Sequence, residues 1–131
     1  MRTACVAAAG TIGALGMLAH RRAGVGALFA TGGERLAPTA SLWGAALLGL
    51  VIHVAWIAVW SALFAAFTQR ERRSGASIPA LIVAVIAFGV SFAIPEALGG
   101  PLTTLPTAER ALVHLVLAIS LVLGMRLAPA G

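Results

Sequence analysis

The sequence of 131 residues has little charge and a single cysteine. Charged residues make up 10% of the chain, whereas soluble domains carry about 25%. One cysteine, Cys5, excludes an internal disulfide and a metal site built from several cysteines. Lysine is absent, so all nine basic residues are arginines, and they lie near the ends of apolar runs rather than along one soluble face. This distribution argues against nucleic-acid binding despite the high isoelectric point.

Long apolar runs take the place of charge. Apolar residues make up 60% of the chain, and the mean hydropathy is +1.01. Three strong runs cover 40–68, 77–98 and 107–128, and a weaker run covers 3–19. A helix needs roughly 20 apolar residues to cross the hydrocarbon of a bilayer, and each strong run is that long. The pattern is typical of a membrane protein.

The runs predict four helices, at about 3–19, 42–68, 78–98 and 108–127. We interpret the first as a short helix rather than a signal peptide, because no A-x-A-like cleavage site follows it. Glycine and proline punctuate the connections, and no repeat is present. The predicted fold is therefore all-α, an integral membrane four-helix bundle that forms a single transmembrane domain over residues 1–131.

The arginines indicate an orientation. With four spans, the turn that contains Arg70, Arg72 and Arg73 lies on the same side as both termini, and Arg21 and Arg22 lie on the other side. Short loops rich in arginine face the cytoplasm. We therefore expect both termini to be cytoplasmic. Arg21 and Arg22, after the first helix, count against this orientation because they lie on the opposite side.

Small residues four apart recur in each predicted helix. In lipid, such pairs let two helices approach closely, because apolar surface alone does not drive helices together there. The sequence thus predicts a closely packed bundle. The pairs are Ala9/Gly13, Ala45/Gly49, Gly89/Ala93 and Ser120/Gly124.

The second predicted helix carries the most chemically suggestive face. Gly49, His53, Trp56 and Trp60 share one stripe at helical spacing. A histidine one turn after a glycine could hold a flat tetrapyrrole, such as haem or chlorophyll, with the imidazole on the metal, and light-harvesting polypeptides use a similar small-x-x-x-His arrangement. The favoured interpretation is simpler: His53 is a buried polar residue that makes a hydrogen bond to a neighbouring helix or carbonyl.

His114 in the fourth predicted helix is the other candidate ligand. Measured from the helix starts, His53 and His114 are staggered by roughly 7–8 Å along the axis, which argues against a haem with two histidine ligands. Arg110 and Glu109 precede His114 by about one turn, and together the three suit a polar cluster near the membrane surface. Glu109 also suits the positive end of the helix dipole.

Two carboxylates could serve a small oligomeric transporter. Glu96 follows Pro95 near the end of the third predicted helix, and Glu109 begins the fourth. The favoured interpretation is that Pro95 marks a helix end and that Glu96 faces the head groups. No nucleophile and base, phosphate loop or carboxylate pair is present, so we expect that the protein is not an enzyme.

One resemblance covers most of the chain. In order, the sequence has a Gly-rich first helix ending in His20-Arg21-Arg22, a loop with Pro38, Leu50-x-x-His53 and Leu63-Phe64-Ala65, Phe88-Gly89 and Pro95 before Gly99-Gly100, and Glu109-Arg110-Ala111-Leu112-Val113-His114 before Leu123-Gly124. This order resembles the YagU-like group of small bacterial inner-membrane proteins. The resemblance implies four helices and an inner-membrane location, and it implies no reaction.

Taken together, the sequence predicts a bacterial inner-membrane protein that crosses the membrane several times and acts by binding. With so little chain outside the bilayer, its partners must contact helix faces. We expect an accessory or assembly subunit of a larger membrane complex, in contact with lipids and with other integral membrane subunits or a second copy. The tetrapyrrole and transporter hypotheses are the alternatives.

Overall fold

The computed structural model describes residues 2–20, 29, 33–34, 37, 39–68, 75–94, 102 and 105–127. Within these residues the chain forms four α-helices of 14 or more residues and no strands, and residues 29 and 33–34 are also helical. The prediction of an all-α fold is confirmed for the described residues. The helices are α1 (Arg2–His20), α2 (Leu42–Thr68), α3 (Ser77–Val90) and α4 (Thr107–Arg126).

The third helix is shorter than predicted. The apolar run predicted a helix to residue 98, but α3 ends at Val90, and that prediction is wrong over residues 91–94. After Val90, two backbone hydrogen bonds span three residues instead of four. The N–H of Phe92 donates to the carbonyl of Gly89, and the N–H of Ala93 donates to the carbonyl of Val90. These tight turns replace the α-helical pattern because the sequence approaches Pro95, and a residue before proline disfavours helix. Residues 95–98 lie outside the described residues.

The helices pack in a cycle, with each beside its neighbours in the sequence and α1 beside α4, where the interface is the most extensive. Ala7 near the start of α1 shares a core cluster with Phe64 near the end of α2, Ala80 near the start of α3 and Leu121 near the end of α4. Neighbouring helices are therefore antiparallel, as in an up-down-up-down bundle.

Large apolar side chains cover much of the outer surface of the bundle, as well as filling its core. On α3, the buried face is built of small residues around Ala80, Ala84 and Ala87, whereas Leu81 and Val85 point outward. Several polar side chains are buried in the interior of the bundle. Among the described residues these are Thr11, His53, Ser61, Thr68, Ser91, Arg110, His114 and Ser120.

Two helices, α2 and α4, are long and apolar enough to cross a membrane, judged by length and composition. The apolar segments of the other two, Thr3–Ala19 and Ser77–Val90, are shorter. At 1.5 Å per residue, the 19 residues of α1 extend about 28 Å, close to the thickness of the hydrocarbon region.

Candidate functional site

His53 lies in the middle of α2 and faces the interior of the bundle, with 2% of its surface exposed. Its Nε2 atom is 3.1 Å from Oγ1 of Thr11 on α1. A polar contact between facing helices is the arrangement that we favoured for this histidine. Thr11 was not identified from the sequence as its partner, although it is the only polar residue in the middle of the first apolar run.

The hydrogen bonds of Thr11 define the tautomer of His53. A hydroxyl has one hydrogen to donate, and the carbonyl of Ala7 lies 2.9 Å from Oγ1, in the usual position for a helical threonine. We therefore assign Nε2–H of His53 as the donor and the Thr11 oxygen as the acceptor. Nδ1 is then a lone-pair acceptor, and in the described part of the chain no donor reaches it.

The space beside Gly49 is occupied. Phe29 lies edge-on to the ring of His53, with centroids 5.9 Å apart, and its backbone carbonyl faces Gly49 so closely that a Cβ atom there would overlap it. A tetrapyrrole lying over Gly49 would have to displace Phe29. Residue 29 comes from the long connection after α1, a contact that local spacing along α2 could not reveal.

The two tryptophans of the stripe pack on each other. Trp56 and Trp60 meet edge to face, with centroids 5.3 Å apart. Both belong to the packing of the core, and their indole N–H groups, like the hydroxyl of Ser61, have no hydrogen-bond partner among the described residues. With Nδ1 of His53, α2 thus has four buried polar atoms that find no partner in the described part of the chain. Burying a polar atom without a hydrogen bond costs free energy.

His114 and Arg110 form a second polar group, at the other end of the bundle from Trp60. The His114 Nδ1–H donates to the carbonyl of Arg110 at 2.7 Å, and Phe88 packs edge-on to the imidazole. The Arg110 guanidinium donates to the carbonyls of Ser91 and Leu105, each at 3.3 Å. It also lies 4.3 Å from the ring centroid of Phe92. Arg110 therefore joins the end of α3 to the start of α4.

The two histidines have separate partners. His53 bonds to Thr11 of α1, whereas His114 bonds to the backbone of Arg110 in its own helix and to the backbone of Ala87 in α3. Arg110 and His114 are both buried in the fold. The prediction that they lie with Glu109 near the membrane surface concerns depth in the bilayer and stays a prediction. This arrangement fits a structural role for His114.

The carboxylates do not assemble into a site in the part of the chain that the structure describes. Glu109 is half-buried in the first turn of α4. Glu96 lies outside the described residues, as do the arginines on which the orientation depends. Among the described residues, no group of three or more His, Cys, Asp or Glu side chains could hold a metal ion.

The four small-residue pairs divide into two inward and two outward pairs. Gly49 faces the Phe29 backbone, and Gly124 faces Thr3 of α1, where an added Cβ would lie 2.7 Å from Cα. Gly13 and Gly89 are exposed instead, and an added Cβ would meet nothing within 4 Å at either glycine. Close packing inside the bundle thus accounts for only half of the pattern.

The outward pair on α1 extends into a longer stripe. Cys5, Ala9 and Gly13 are exposed at four-residue spacing, and Met17 follows one turn later. The outer faces of α2, α3 and α4 carry large apolar side chains such as Trp43 and Leu81. We call the three small exposed residues of α1 the α1 small face.

Comparison with known proteins found no matching family model, no matching curated protein and no matching solved structure.

Proposed function

We propose that this chain is a multi-pass protein of the bacterial inner membrane that acts by binding, as an accessory or assembly subunit of a larger membrane complex. A helix of a partner subunit packs on the α1 small face. Membership of the YagU-like group is part of the same proposal, because the resemblance implies the same fold and location.

The large apolar side chains on the outer surface of the bundle support the membrane location. Large side chains such as Trp43, which is 78% exposed, would face water in a soluble protein. In lipid they need no partner, whereas the buried hydrogen bonds of Thr11 and Arg110 are sheltered from hydrocarbon.

The α1 small face is the observation that carries the binding role. Cys5, Ala9 and Gly13 leave a shallow strip along the helix, and no other segment of the described chain lies within 4 Å of a Cβ added at Gly13. Such a strip brings two helix backbones close together, which gives many van der Waals contacts in lipid. On a face of large aliphatic side chains, lipid tails make equivalent van der Waals contacts, so a partner helix has no advantage over lipid there.

Cys5 provides the direct test because it is the single cysteine and belongs to the strip. An epitope-tagged copy is labelled at Cys5 with benzophenone maleimide in its native membranes and then irradiated. We expect a covalent adduct with another membrane protein, absent from Cys5→Ser. An adduct between two copies of this chain would replace the accessory role with self-association.

Two matched variants test whether the strip itself makes the contact. Gly13 and Gly89 are both exposed helical glycines with open space above them, so isoleucine fits at either. We expect Gly13→Ile to abolish the adduct and Gly89→Ile to retain it. If only Gly89→Ile lost the adduct, we would infer that the partner helix packs on α3 instead of α1. An unchanged adduct in Gly13→Ile would overturn the proposal.

A further inference from the structure

A second outer surface lies between α3 and α4, away from the α1 small face. It is an open groove of about 390 Å³. Ala80 and Ala118 are buried at its floor, and the larger Leu81 and Leu123 are exposed beside them. The groove exists because two small side chains face each other between larger ones. Its volume lies in the range of sites for small ligands.

The groove is apolar along its length and polar at one end. Ser77, at the start of α3, and Arg126, in the last turn of α4, line it there. Arg126 is exposed and has no carboxylate partner among the described residues. A ligand that fills this groove therefore needs an apolar chain and an anionic end.

The charge of this end of the bundle agrees with an anionic ligand. The sequence that leads from α2 into α3 contains Arg70, Arg72 and Arg73 and one acidic residue, Glu71. That segment of the sequence therefore has a net positive charge, and Arg126 adds an exposed positive charge in the last turn of α4. Basic segments at the end of membrane helices attract anionic lipids.

We propose that the groove between α3 and α4 binds an anionic phospholipid, with one acyl chain over Ala80 and Ala118 and the phosphate beside Arg126. The head group accepts hydrogen bonds from the guanidinium and from the Ser77 hydroxyl. This inference rests on the membrane location in the proposed function, but not on the partner helix at α1.

Native mass spectrometry of the full chain, purified in mild detergent, tests the site. The protein is offered equal amounts of phosphatidylglycerol and phosphatidylcholine with identical acyl chains. We expect about fivefold more bound phosphatidylglycerol, the effect of one basic side chain near anionic lipid. Arg126→Gln should bring the ratio to about one, whereas Arg126→Lys, which keeps a positive charge at this exposed position, should retain the preference.

A second pair of variants tests the apolar part. Leu81→Trp places a large ring at the groove, whereas Ile86→Trp makes the same kind of change at an exposed position on α3 that does not line it. We expect total bound lipid to fall only in Leu81→Trp. Equal retention of lipid in both tryptophan variants, or an unchanged preference for phosphatidylglycerol in Arg126→Gln, would overturn the proposal. Because this assay uses the isolated chain, its failure would leave a Cys5 adduct unaffected.

Discussion

Thr11 on α1 and His53 on α2 are joined across the bundle interior by a hydrogen bond of 3.1 Å between Oγ1 and Nε2. Both residues are fully buried, and among the described residues the ring of His53 has no other hydrogen-bond partner. One buried polar pair can fix the register of two helices in this way, as a buried asparagine does in coiled coils. We infer that this bond sets the alignment of α1 against α2.

Removing the Thr11 hydroxyl should destabilise the bundle. Thr11→Val retains the shape but leaves Nε2–H of His53 buried without an acceptor, and we expect a loss of about 0.6–1.7 kcal/mol in the free energy of unfolding, the range for hydrogen bonds between membrane helices. The measurement is titration with a denaturing detergent, followed by circular dichroism. Thr68→Val is the control, because the Thr68 hydroxyl donates only to carbonyls of its own helix. Equal losses in both variants would contradict the assigned role.

The glycines should separate into two classes. Gly124→Ala places Cβ 2.7 Å from the Thr3 backbone and should destabilise the fold by about 1–3 kcal/mol, as overpacking does. Gly13→Ala meets nothing and should stabilise it by up to about 1 kcal/mol through helix propensity. Thermal unfolding in mild detergent distinguishes them, and a loss of stability in Gly13→Ala would show that this face is already packed within the chain.

Replacing Arg110 with lysine should cost about 1.5–3 kcal/mol of stability, the value for hydrogen bonds to a charged group. A lysine keeps the charge, but its compact ammonium cannot reach two carbonyls and lie over Phe92 at once. Arg126→Lys, at an exposed position, should change stability by less than about 0.5 kcal/mol. Both variants can be compared by the same detergent titration, and equal effects would remove Arg110 from its role in joining α3 to α4.

The purified protein should be colourless. Phe29 occupies the space beside Gly49 and His53 that a tetrapyrrole would need, so we expect no Soret-type band in the absorption spectrum of the wild type. A band that is present in the wild type and lost in His53→Ala would contradict this expectation and would make His53 a metal ligand.

Helix positions could be predicted from the sequence because they depend on the length of each apolar run. The predicted bounds of the second helix coincide with α2, and those of the first and fourth agree to within one residue. The end of α3 was missed because the run stays apolar after Val90, while its hydrogen bonds change with the approach to Pro95. Composition does not record that change.

The candidate site depended more on contacts between distant segments. The stripe of His53, Trp56 and Trp60 was visible from helical spacing, and the partner of His53 was not, because Thr11 is 42 residues away in the chain. Phe29 beside Gly49 could not be predicted either, since the two residues belong to different segments of the chain and only packing brings them together.

Four apolar helices and the small residues that recur along them can be predicted from the amino-acid sequence, because both depend on side chains close together in the chain. Which of the small residues face inward depends on how the helices pack. Gly49 and Gly124 meet backbone from other segments, whereas Gly13 and Gly89 face outward. The physical reason is rotation about the helix axis: spacing places residues on a common face, and packing against the other helices decides where that face points.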